Sequence, residues 1–372
     1  MPPPDAPTAQ PDRQVLQREF FHNLPGWKGD LVTEAVPALL RSCEKFQAMD
    51  PEKALDSAGV GGKAKDWLPI CAAAKALRPG DDPQARYFFE THFEPFQILN
   101  NDRHRGLITG YYEPELRGAW QPDQTYRVPI YSRPPDLVSV DLGKFRDDLK
   151  GQHIAGSVKN DHLVPFATRR EIEAGALKGR SLELLWVDNP VDAFFLHVQG
   201  SGRVRMKEGG FVRLAYSGRN GHRYVAIGRE LVAAGVMPLD KVTMQSIRAW
   251  LERNPIAGQD LMARNHSFVF FRVLDGDGPV GAQGVVLTPG RSIAVDRKYL
   301  PLGLPVWLDT TDPLKDGRPL QRLTVAQDTG SAILGPVRAD FFFGSGETPA
   351  VQAGAMKRQG RMYVLRPVNR SR

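Results

Sequence analysis

Hydrophobic positions in the first hundred residues recur with the period of an α-helix. The first such segment lies between positions 31 and 43, where the apolar side chains fall on one helical face: Leu31, Val32, Ala35, Val36, Leu39, Leu40 and Cys43. Two further helices are predicted over residues 64–77, before Pro79-Gly80, and over residues 83–94. The N-terminal part of the chain is therefore expected to be helical.

After Gly106 the pattern changes to short apolar runs separated by Gly, Pro, Asn and Asp, which is typical of β-strands. The middle of the chain is predicted to form strands at 107–113, 127–133, 192–206 and 210–217, and helices at 168–177, 222–234 and 243–253. Asn220 and Thr243 are candidate helix caps. From Ser267 onward the pattern predicts strands at 267–274, 283–296, 305–310, 322–328, 338–343 and 361–367. Short strands with turn signals between them favour a small barrel or sandwich.

The composition fits a globular protein that is rich in turns. Of the 372 residues, 41% are hydrophobic and 24% are charged, and there are 36 glycines and 30 prolines. No apolar run approaches the roughly 20 residues that a membrane helix needs. The net charge is +7, and the segment from Met356 onward holds basic residues and no acid: Lys357, Arg358, Arg361, Arg366, Arg370 and Arg372. We interpret this segment as a solvated strand and tail, with contact to an anionic polymer as the alternative. No nucleic-acid recognition motif lies beside it.

The two cysteines, Cys43 and Cys71, lack the spacing of a zinc site and are too few for a disulfide framework. Both fall in helical segments, so we expect two buried thiols; a single disulfide is the alternative if the protein is exported. Residues 1–14 are rich in proline and are expected to form a disordered leader. They are not a signal peptide, because no apolar segment follows a basic start. This composition fits both a cytoplasmic protein and an exported protein without its signal.

Local motifs argue against several enzyme classes. The G-x-G-x-x-G string at 276–281 is followed by a strand pattern and not by the helix that a dinucleotide site requires, so we interpret it as a hairpin turn. The eight histidines are isolated, which favours a structural role for His197 and predicts no metal site. Asp328-Thr329-Gly330 matches the active-site turn of aspartic proteases, but those enzymes need two such aspartates, and the chain has one string of this kind. An aspartic protease is kept as an alternative function.

Two aspartates near predicted strand ends are candidates for acid–base chemistry. Leu323 and Val325 alternate inward, which places Asp328 on the opposite face at the end of its strand, beside Gly330. Asp340 precedes three phenylalanines. A carboxylate among aromatic side chains is partly desolvated, which raises its pKa and suits a general acid. A turn or hydrogen-bonding role is the alternative for each aspartate.

These aspartates lie within strings that are similar, in order, to those of one family. In the C-terminal part the strings are Gly284-Val285-Val286, Ile293-Ala294-Val295-Asp296, Leu300-Pro301-Leu302-Gly303, Ala326-Gln327-Asp328-Thr329-Gly330-Ser331-Ala332-Ile333 and Arg338-Ala339-Asp340. Upstream they are Phe88-Phe89-Glu90, Phe93-Glu94-Pro95, Thr109-Gly110-Tyr111-Tyr112-Glu113-Pro114, Phe195-Leu196-His197-Val198-Gln199-Gly200-Ser201-Gly202, Tyr216-Ser217-Gly218-Arg219-Asn220-Gly221 and Asn265-His266-Ser267-Phe268-Val269-Phe270-Phe271. From about residue 84 to residue 367 the chain resembles the membrane-bound lytic murein transglycosylase A (MltA) family. Its C-terminal part resembles a three-aspartate domain whose acids would be Asp296, Asp328 and Asp340.

The resemblance implies a mainly β fold with N-terminal helices. A double-psi β-barrel domain and a smaller inserted β-rich domain would leave a groove between them for a glycan strand. On this basis we assign residues 1–14 to the leader, 15–112 and 262–372 to the barrel domain with its helices, and 113–261 to the inserted domain.

The resemblance further implies cleavage of the β-1,4 bond between N-acetylmuramic acid and N-acetylglucosamine without water, which leaves 1,6-anhydromuramic ends. Asp340 would be the catalytic acid/base, with Asp328 close to it in the same site. The candidate substrate-binding residues are Thr109, Tyr112, Glu113, Gln199, Gly200, Ser201, Arg203 and Asp296. A glycan-binding module without activity is the second alternative to this function.

The expected partners follow from the same resemblance. We expect a monomer that acts on the glycan strands of peptidoglycan, with no metal, no cofactor and no nucleic acid, and with other cell-wall enzymes as potential partners. The expected location is the periplasm, in association with the outer membrane. The family is usually anchored through an N-terminal lipidated cysteine, and this chain has no cysteine before Cys43.

Overall fold

The computed structural model describes residues 11–149, 152–274, 276, 278–330 and 332–368. It divides the chain into two compact units: the first contains the described residues of 1–112, 280–344 and 348–372, and the second those of 113–279 and 345–347. Most of the predicted leader lies outside the described residues, as do Asp277, Ser331, Arg370 and Arg372.

The described residues form helices and strands with the following bounds. The helices are α1 Val36–Gln47, α2 Ala64–Lys75, α3 Asp82–His92, α4 Arg169–Glu171, α5 Pro190–Gln199, α6 Ile227–Ala233, α7 Met244–Arg253, α8 Pro255–Arg264 and α9 Glu347–Ala355. The strands are β1 Gln14–Arg18, β2 Phe93–Asn100, β3 Gly106–Glu113, β4 Glu115–Ala119, β5 Val128–Tyr131, β6 Val138–Asp141, β7 His153–Lys159, β8 His162–Pro165, β9 Glu183–Val187, β10 Ser201–Met206, β11 Phe211–Arg219, β12 Val269–Leu274, β13 Ser292–Val295, β14 Pro305–Thr311, β15 Pro319–Asp328, β16 Ala339–Ser345 and β17 Lys357–Pro367.

Six of the described strands close into a barrel in the first unit. Around the barrel the order is β17-β14-β15-β13-β16-β3, and β3 pairs with β17 to complete the circle. The β13–β15 pair is parallel, whereas β14 is antiparallel to both of its neighbours. β17 is long enough to pair with β3 through residues 357–360 and with β2 through residues 363–367. The β-rich fold with a barrel and N-terminal helices, expected from the sequence, is confirmed.

Three N-terminal helices share the core of the barrel unit, as predicted. Pro37 lies in the first turn of α1, where its missing N–H removes no helical hydrogen bond. The Asp81 side chain caps α3 by accepting a hydrogen bond from the Gln84 N–H. α3 ends at His92 because Phe93 begins β2. Large buried side chains of the helices and the barrel form one core: Phe46, Trp67, Phe89, Phe93 and Trp307.

Cys43 of α1 and Cys71 of α2 form a disulfide. The two helices pack against each other and bring the Cα atoms of the cysteines to 5.6 Å, which lies within the usual range for a disulfide. The expectation of two buried thiols is therefore wrong. The sequence left both states open because the pairing depends on how the helices pack, which cysteine spacing does not reveal.

A mixed sheet of six described strands forms the centre of the second unit. The strand order is β12-β11-β10-β4-β9-β5, in which β10 runs parallel to β4, and a separate antiparallel sheet contains β6, β7 and β8. β12 pairs with β11 along most of its length, so residues 262–279 belong to this unit. The chain returns to the barrel unit at Val280, not at residue 262 as expected.

The apolar run at 192–206 predicts a strand, but the chain there forms helix α5 and then β10. Asn189 caps the helix by accepting a hydrogen bond from the Val191 N–H at 2.8 Å, and Pro190 occupies the first turn. α5 is buried on nearly all sides, so its apolar residues show no helical period. His197 of α5 is buried, and its Nδ1 accepts a hydrogen bond from the Val269 N–H at 3.0 Å, which confirms its structural role.

Two smaller expectations about local structure are wrong. Asn220 caps no helix; its side-chain amide donates to the carbonyls of Ala167 and His266. Within 283–296 only the last residues form a strand, β13. Thr243, by contrast, caps α7 as predicted. No helix in the described part of the chain is long and apolar enough to cross a membrane.

Candidate active site

Asp328 and Asp340 lie on either side of one short strand of the barrel. β13 runs between β15 and β16, and Ala294 of β13 is the register partner of both aspartates. Register partners on neighbouring strands project from the same face of a sheet, and neighbouring strands lie about 4.8 Å apart. The pairing therefore brings two carboxylates together across the small side chain of Ala294.

Asp340 is held by its neighbours through one oxygen atom. The Thr109 hydroxyl on β3 donates to Asp340 Oδ1 at 2.6 Å, and no described residue donates to Oδ2. Burial raises the pKa of Asp340, against the opposing effects of the Thr109 hydrogen bond and the positive charge of Arg338, and the negative charge of Asp328 adds to the rise. Asp340 thus combines a raised pKa with an oxygen open to a further hydrogen bond, as a general acid requires.

Asp328 has hydrogen-bond donors at both of its oxygen atoms. Its Oδ1 accepts from the N–H groups of Ala282 and Thr329, each at 2.9 Å, and its Oδ2 accepts from the Tyr111 hydroxyl at 3.1 Å. Burial raises the pKa of Asp328, and these three hydrogen bonds lower it. The carboxylate of Asp328 is therefore held in a fixed orientation and is suited to place a negative charge close to Asp340.

Tyr111 belongs to this site, although it was not among the predicted site residues. It lies two positions after Thr109 on β3, so both side chains share one face of the strand. Its ring packs against Phe342, with the ring centroids 5.1 Å apart. Burial, together with the negative charges of Asp328 and Asp340, raises the pKa of Tyr111, which keeps the phenol neutral as a donor. The two-residue period from Thr109 is the signal that could have identified it.

Two further residues of the site were not predicted. Gly110 allows the close packing of β3, because a Cβ atom at this position would lie 2.5 Å from the ring of Phe343. Arg338 donates to the Leu107 carbonyl at 3.4 Å and places a positive charge near Asp340. Neither contact has a signature in the local sequence.

Asp296, the third aspartate of the resemblance, holds two loops of the first unit. Its Oδ1 accepts from the Lys298 N–H at 2.9 Å, and its Oδ2 accepts from the Gly335 N–H at 2.8 Å. Both oxygens are thus engaged with backbone groups, and Asp296 is placed to shape the loops after β13 and before β16. Tyr112, another predicted binding residue, is buried in the same unit.

The other predicted binding residues belong to the second unit. The Ser345 hydroxyl donates to Glu113 Oε2 at 2.6 Å, and Arg213 Nε lies 3.6 Å from Glu113 Oε1. Burial raises the pKa of Glu113, and the Ser345 hydrogen bond and the charges of nearby arginines lower it. Arg203 donates from Nε to Glu115 Oε2 at 2.8 Å, so this predicted binding residue is already paired.

The string from Gln199 to Ser201 forms a turn between a helix and a strand. Gln199 is the last residue of α5, Gly200 ends the helix in the left-handed conformation with φ of 80°, and Ser201 begins β10. The glycine is required here by its backbone angle. Among the described residues, no group of three His, Cys, Asp or Glu side chains is placed to hold a metal ion.

Each of the two units contains a region that matches a known protein family. The family model of the MltA specific insert domain matches residues 107–272, and that of the 3D domain matches residues 291–366. The membrane-bound lytic murein transglycosylase A of Vibrio cholerae is 32% identical over 362 residues, which cover 95% of this chain and 88% of that protein. The chain belongs to the MltA family. It is a lytic murein transglycosylase, an enzyme that acts on peptidoglycan.

Solved structures of MltA proteins match nearly the whole chain. MltA from Neisseria gonorrhoeae is 31% identical with a TM-score of 0.83, over 96% of this chain and 92% of that one. MltA from Escherichia coli, solved with bound chitohexaose, is 25% identical with a TM-score of 0.66, over 97% of this chain and 93% of that one. The family and the fold expected from the sequence are therefore confirmed, and membership in a family of enzymes argues against a non-catalytic module and against a protease.

Proposed function

We propose that this enzyme cleaves the β-1,4 bond between N-acetylmuramic acid and N-acetylglucosamine and closes a 1,6-anhydro ring, with Asp340 as the single acid/base. The state of Asp340 carries the proposal: it is largely buried, its pKa is raised, and one of its oxygens accepts no hydrogen bond from the described residues. The chitohexaose bound to the Escherichia coli relative supports a β-1,4-linked amino-sugar oligomer as the ligand class.

The chemistry needs one proton donor that is restored in each cycle. Protonated Asp340 gives its proton to the glycosidic oxygen as the bond from that oxygen to C1 breaks. The C6 hydroxyl of the same muramic residue attacks C1, and the Asp340 carboxylate takes the hydroxyl proton. The acid is regenerated and no water is consumed. Because well-oriented intramolecular groups reach effective molarities of about 10⁵ M, against about 55 M for water, ring closure is favoured over hydrolysis.

We assign Asp328 a positioning role in the same reaction. Both of its oxygens already accept hydrogen bonds, from Ala282, Thr329 and Tyr111, so neither is free for proton transfer. Its negative charge raises the pKa of Asp340 and so helps to keep the acid protonated before the bond breaks.

The substrate contacts and the location of the enzyme belong to the same proposal. Thr109, Tyr112, Glu113, Gln199, Gly200, Ser201, Arg203 and Asp296 stay the candidates for binding or shaping the glycan site. We place the enzyme in the periplasm at the outer membrane, where its substrate lies, and the disulfide is in keeping with an oxidising compartment. A monomeric state and recruitment by other cell-wall enzymes stay predictions.

Digestion of purified murein sacculi in ¹⁸O-labelled water tests the reaction type. We expect muropeptides with non-reducing anhydro ends and no solvent oxygen at the muramic C1, as determined by mass spectrometry. Label at this carbon in most product chains would mean hydrolysis and would refute the proposed mechanism.

Substitution of the two aspartates tests the assignment of roles. Asp340→Asn removes the titrating proton and keeps the shape, so the rate of sacculus digestion should fall by about two to four decades. Asp328→Asn should cost less, because the Ala282 and Thr329 N–H groups can still donate to the remaining carbonyl oxygen and hold the side chain. Asp102→Asn, at an exposed position between β2 and β3, is the matched control and should leave the rate unchanged. Equal losses for the two site variants would favour a two-carboxylate mechanism instead.

A further inference from the structure

The second unit contains a cavity of about 900 Å³ that none of the proposed catalytic or glycan-binding residues lines. Its size lies within the range of about 300–1,000 Å³ that is typical of small-ligand sites. Pro129 and Trp186 are register partners in the β5–β9 pair, and Tyr131 and Glu183 are partners in the same pair. Strand pairing therefore builds one wall of the cavity from aromatic and apolar groups.

Charged side chains of both signs also line this cavity. They are Arg117, Arg127, Arg169, Lys178, Glu173, Glu183, Asp188 and Glu252. Several are paired within the protein: Arg117 with Asp188 at 2.6 Å, Arg169 with Glu173 at 3.1 Å, and Glu252 with Arg248 at 3.5 Å. Arg127, Lys178 and Glu183 have no ion-pair partner among the described residues. Arg127 and Lys178 are exposed and Glu183 is half-buried, so two cations and one anion of the lining are accessible to a ligand.

A further acceptor at the wall lacks a donor. The Asp188 side chain is 9% exposed, and its Oδ2 is paired with Arg117, but its Oδ1 is buried and accepts no hydrogen bond from any described residue. Buried polar atoms without a partner are rare in folded proteins. This wall of the cavity therefore has hydrogen-bonding capacity that the protein itself does not use.

We propose that the cavity binds a short peptide that carries a free ammonium group and at least two carboxylates. The ammonium group pairs with Glu183, the carboxylates pair with Arg127 and Lys178, and the methylene groups pack on Trp186 and Pro129. The identity of the peptide rests on the proposed function, because murein carries peptides of this chemistry on its muramic residues. A neutral glycan would cover the aromatic wall but form no ion pair with these three charges.

Calorimetric titration of the full chain with N-acetyl-L-alanyl-γ-D-glutamyl-meso-diaminopimelate tests the inference. This probe has one ammonium group, three carboxylates and no sugar. We expect saturable binding that Lys178→Gln and Glu183→Gln each weaken about tenfold, since hydrogen bonds between charged groups contribute on this scale. Lys159→Gln, an exposed lysine of β7 outside the cavity, is the matched control and should leave the affinity unchanged.

A chemical change to the probe sharpens the test. Acetylation of its ammonium group should weaken binding about tenfold in the unsubstituted protein but have little effect in Glu183→Gln, because the partner is already lost. Near-ultraviolet circular dichroism confirms that each variant is folded.

Three results would overturn the inference: no saturable binding of the probe, an equal loss of affinity in Lys159→Gln, or binding of chitohexaose in place of the peptide with a loss in Trp186→Leu. The probe has no glycosidic bond, so its binding does not depend on catalysis. Peptide binding without anhydro products would refute the proposed function alone, and anhydro products without peptide binding would refute this inference alone.

Discussion

Burial makes the aspartates of the barrel site harder to ionise than aspartates in an unfolded chain. The pKa of Asp340 is raised above its ordinary value because the charged form is desolvated, and the hydrogen bond from Thr109 only partly offsets this. The folded enzyme therefore holds the proton of Asp340 over a pH range in which the unfolded chain has already released it. Asp340 therefore stays protonated, as the proposed mechanism requires, and its ionisation lowers the stability of the fold.

This linkage predicts how Asp340→Asn changes the stability of the enzyme. Because Asp340 binds its proton more tightly in the folded state, its contribution to the free energy of unfolding falls as the pH rises from about 4 through the raised pKa. The asparagine cannot ionise, so the variant should gain stability relative to the unsubstituted enzyme over this window. Urea unfolding at several pH values measures the difference, with Asp102→Asn as the control for the loss of one carboxylate. A difference that does not change with pH would contradict the buried, proton-binding state of Asp340.

At the scale of elements, a buried ion pair joins the N-terminal segment to the barrel. Asp30, which precedes α1, accepts from Arg291 Nη1 at 2.6 Å and from Nη2 at 3.0 Å, just before β13 begins. Asp30 also accepts from the Leu323 N–H of β15 at 2.8 Å. Glu34 adds a second carboxylate at 2.7 Å from Arg291, but its side chain is 56% exposed.

The two carboxylates around Arg291 should differ in their contribution to stability. Asp30→Asn leaves a buried guanidinium with only the exposed Glu34 as its counter-ion, so we expect a loss of about 3 kcal/mol in the free energy of unfolding. Glu34→Gln should cost less than about 1 kcal/mol, because exposed pairs are screened by solvent. Urea unfolding followed by tryptophan fluorescence compares the two variants. Equal losses would show that the burial of Asp30 does not govern the strength of the pair.

Three of the four basic residues of β17 contact other parts of the barrel unit. Arg358 pairs with Asp316 at 2.9 Å, and Arg361 pairs with Asp309 at 2.8 Å. Arg366 donates to the Val60 carbonyl at 3.0 Å. The sequence predicts a solvated basic strand, but its three arginines contact two aspartates and a backbone carbonyl of the same unit.

Sequence patterns predict an element well when one of its faces is buried and the other meets solvent. They predict it poorly when both faces are buried. α1 shows a helical period because its outer face meets solvent, whereas α5 is buried on nearly all sides and its apolar pattern predicts a strand. β15 is similar: residues 323–327 are all buried, and the Gln327 amide donates to the Ala38 carbonyl of α1. Leu323 and Val325 lie in the core as predicted, but the residues between and after them are buried too, so burial does not distinguish the two faces of β15.

The same limit applies to the active site. Asp328, Asp340 and Thr109 could be proposed as site residues because each supplies a side chain within a recognisable string. The N–H of Ala282 could not, since a backbone donor leaves no trace in residue type, and its position depends on how the chain returns from the second unit. Long-range packing, not local pattern, determines that part of the site.

At the scale of the whole molecule, the disulfide makes the stability of the enzyme depend on the redox conditions of the compartment in which it folds. It closes a loop between positions 28 residues apart in the chain. In the chain-entropy model, a cross-link of this length raises the free energy of the unfolded chain by about 3.5 kcal/mol, because it removes conformational freedom. An oxidising compartment therefore gives a more stable enzyme than a reducing one.

Replacing both cysteines tests this contribution. Cys43→Ala combined with Cys71→Ala should lower the free energy of unfolding by about 3.5 kcal/mol relative to the oxidised enzyme. The reduced unsubstituted enzyme should behave like the double variant, and a reducing agent should not affect the variant itself. Urea unfolding with and without the reducing agent provides all four values. Identical unfolding of the oxidised and reduced enzyme would show that the cross-link does not stabilise the fold.

The pairing of β3 with β16 and β17 also determines when activity can arise during synthesis. Thr109 and Asp340, which share a hydrogen bond, are 231 residues apart in the chain. As the polypeptide leaves the ribosome, β2 and β3 emerge early, and β17, which pairs with both of them, is the last strand to be made. Until then their open edges are exposed to wrong pairing. On the proposed mechanism, a nascent chain or a chain that ends before β17 cannot close the barrel around Asp340, and we expect it to leave a cell wall uncut.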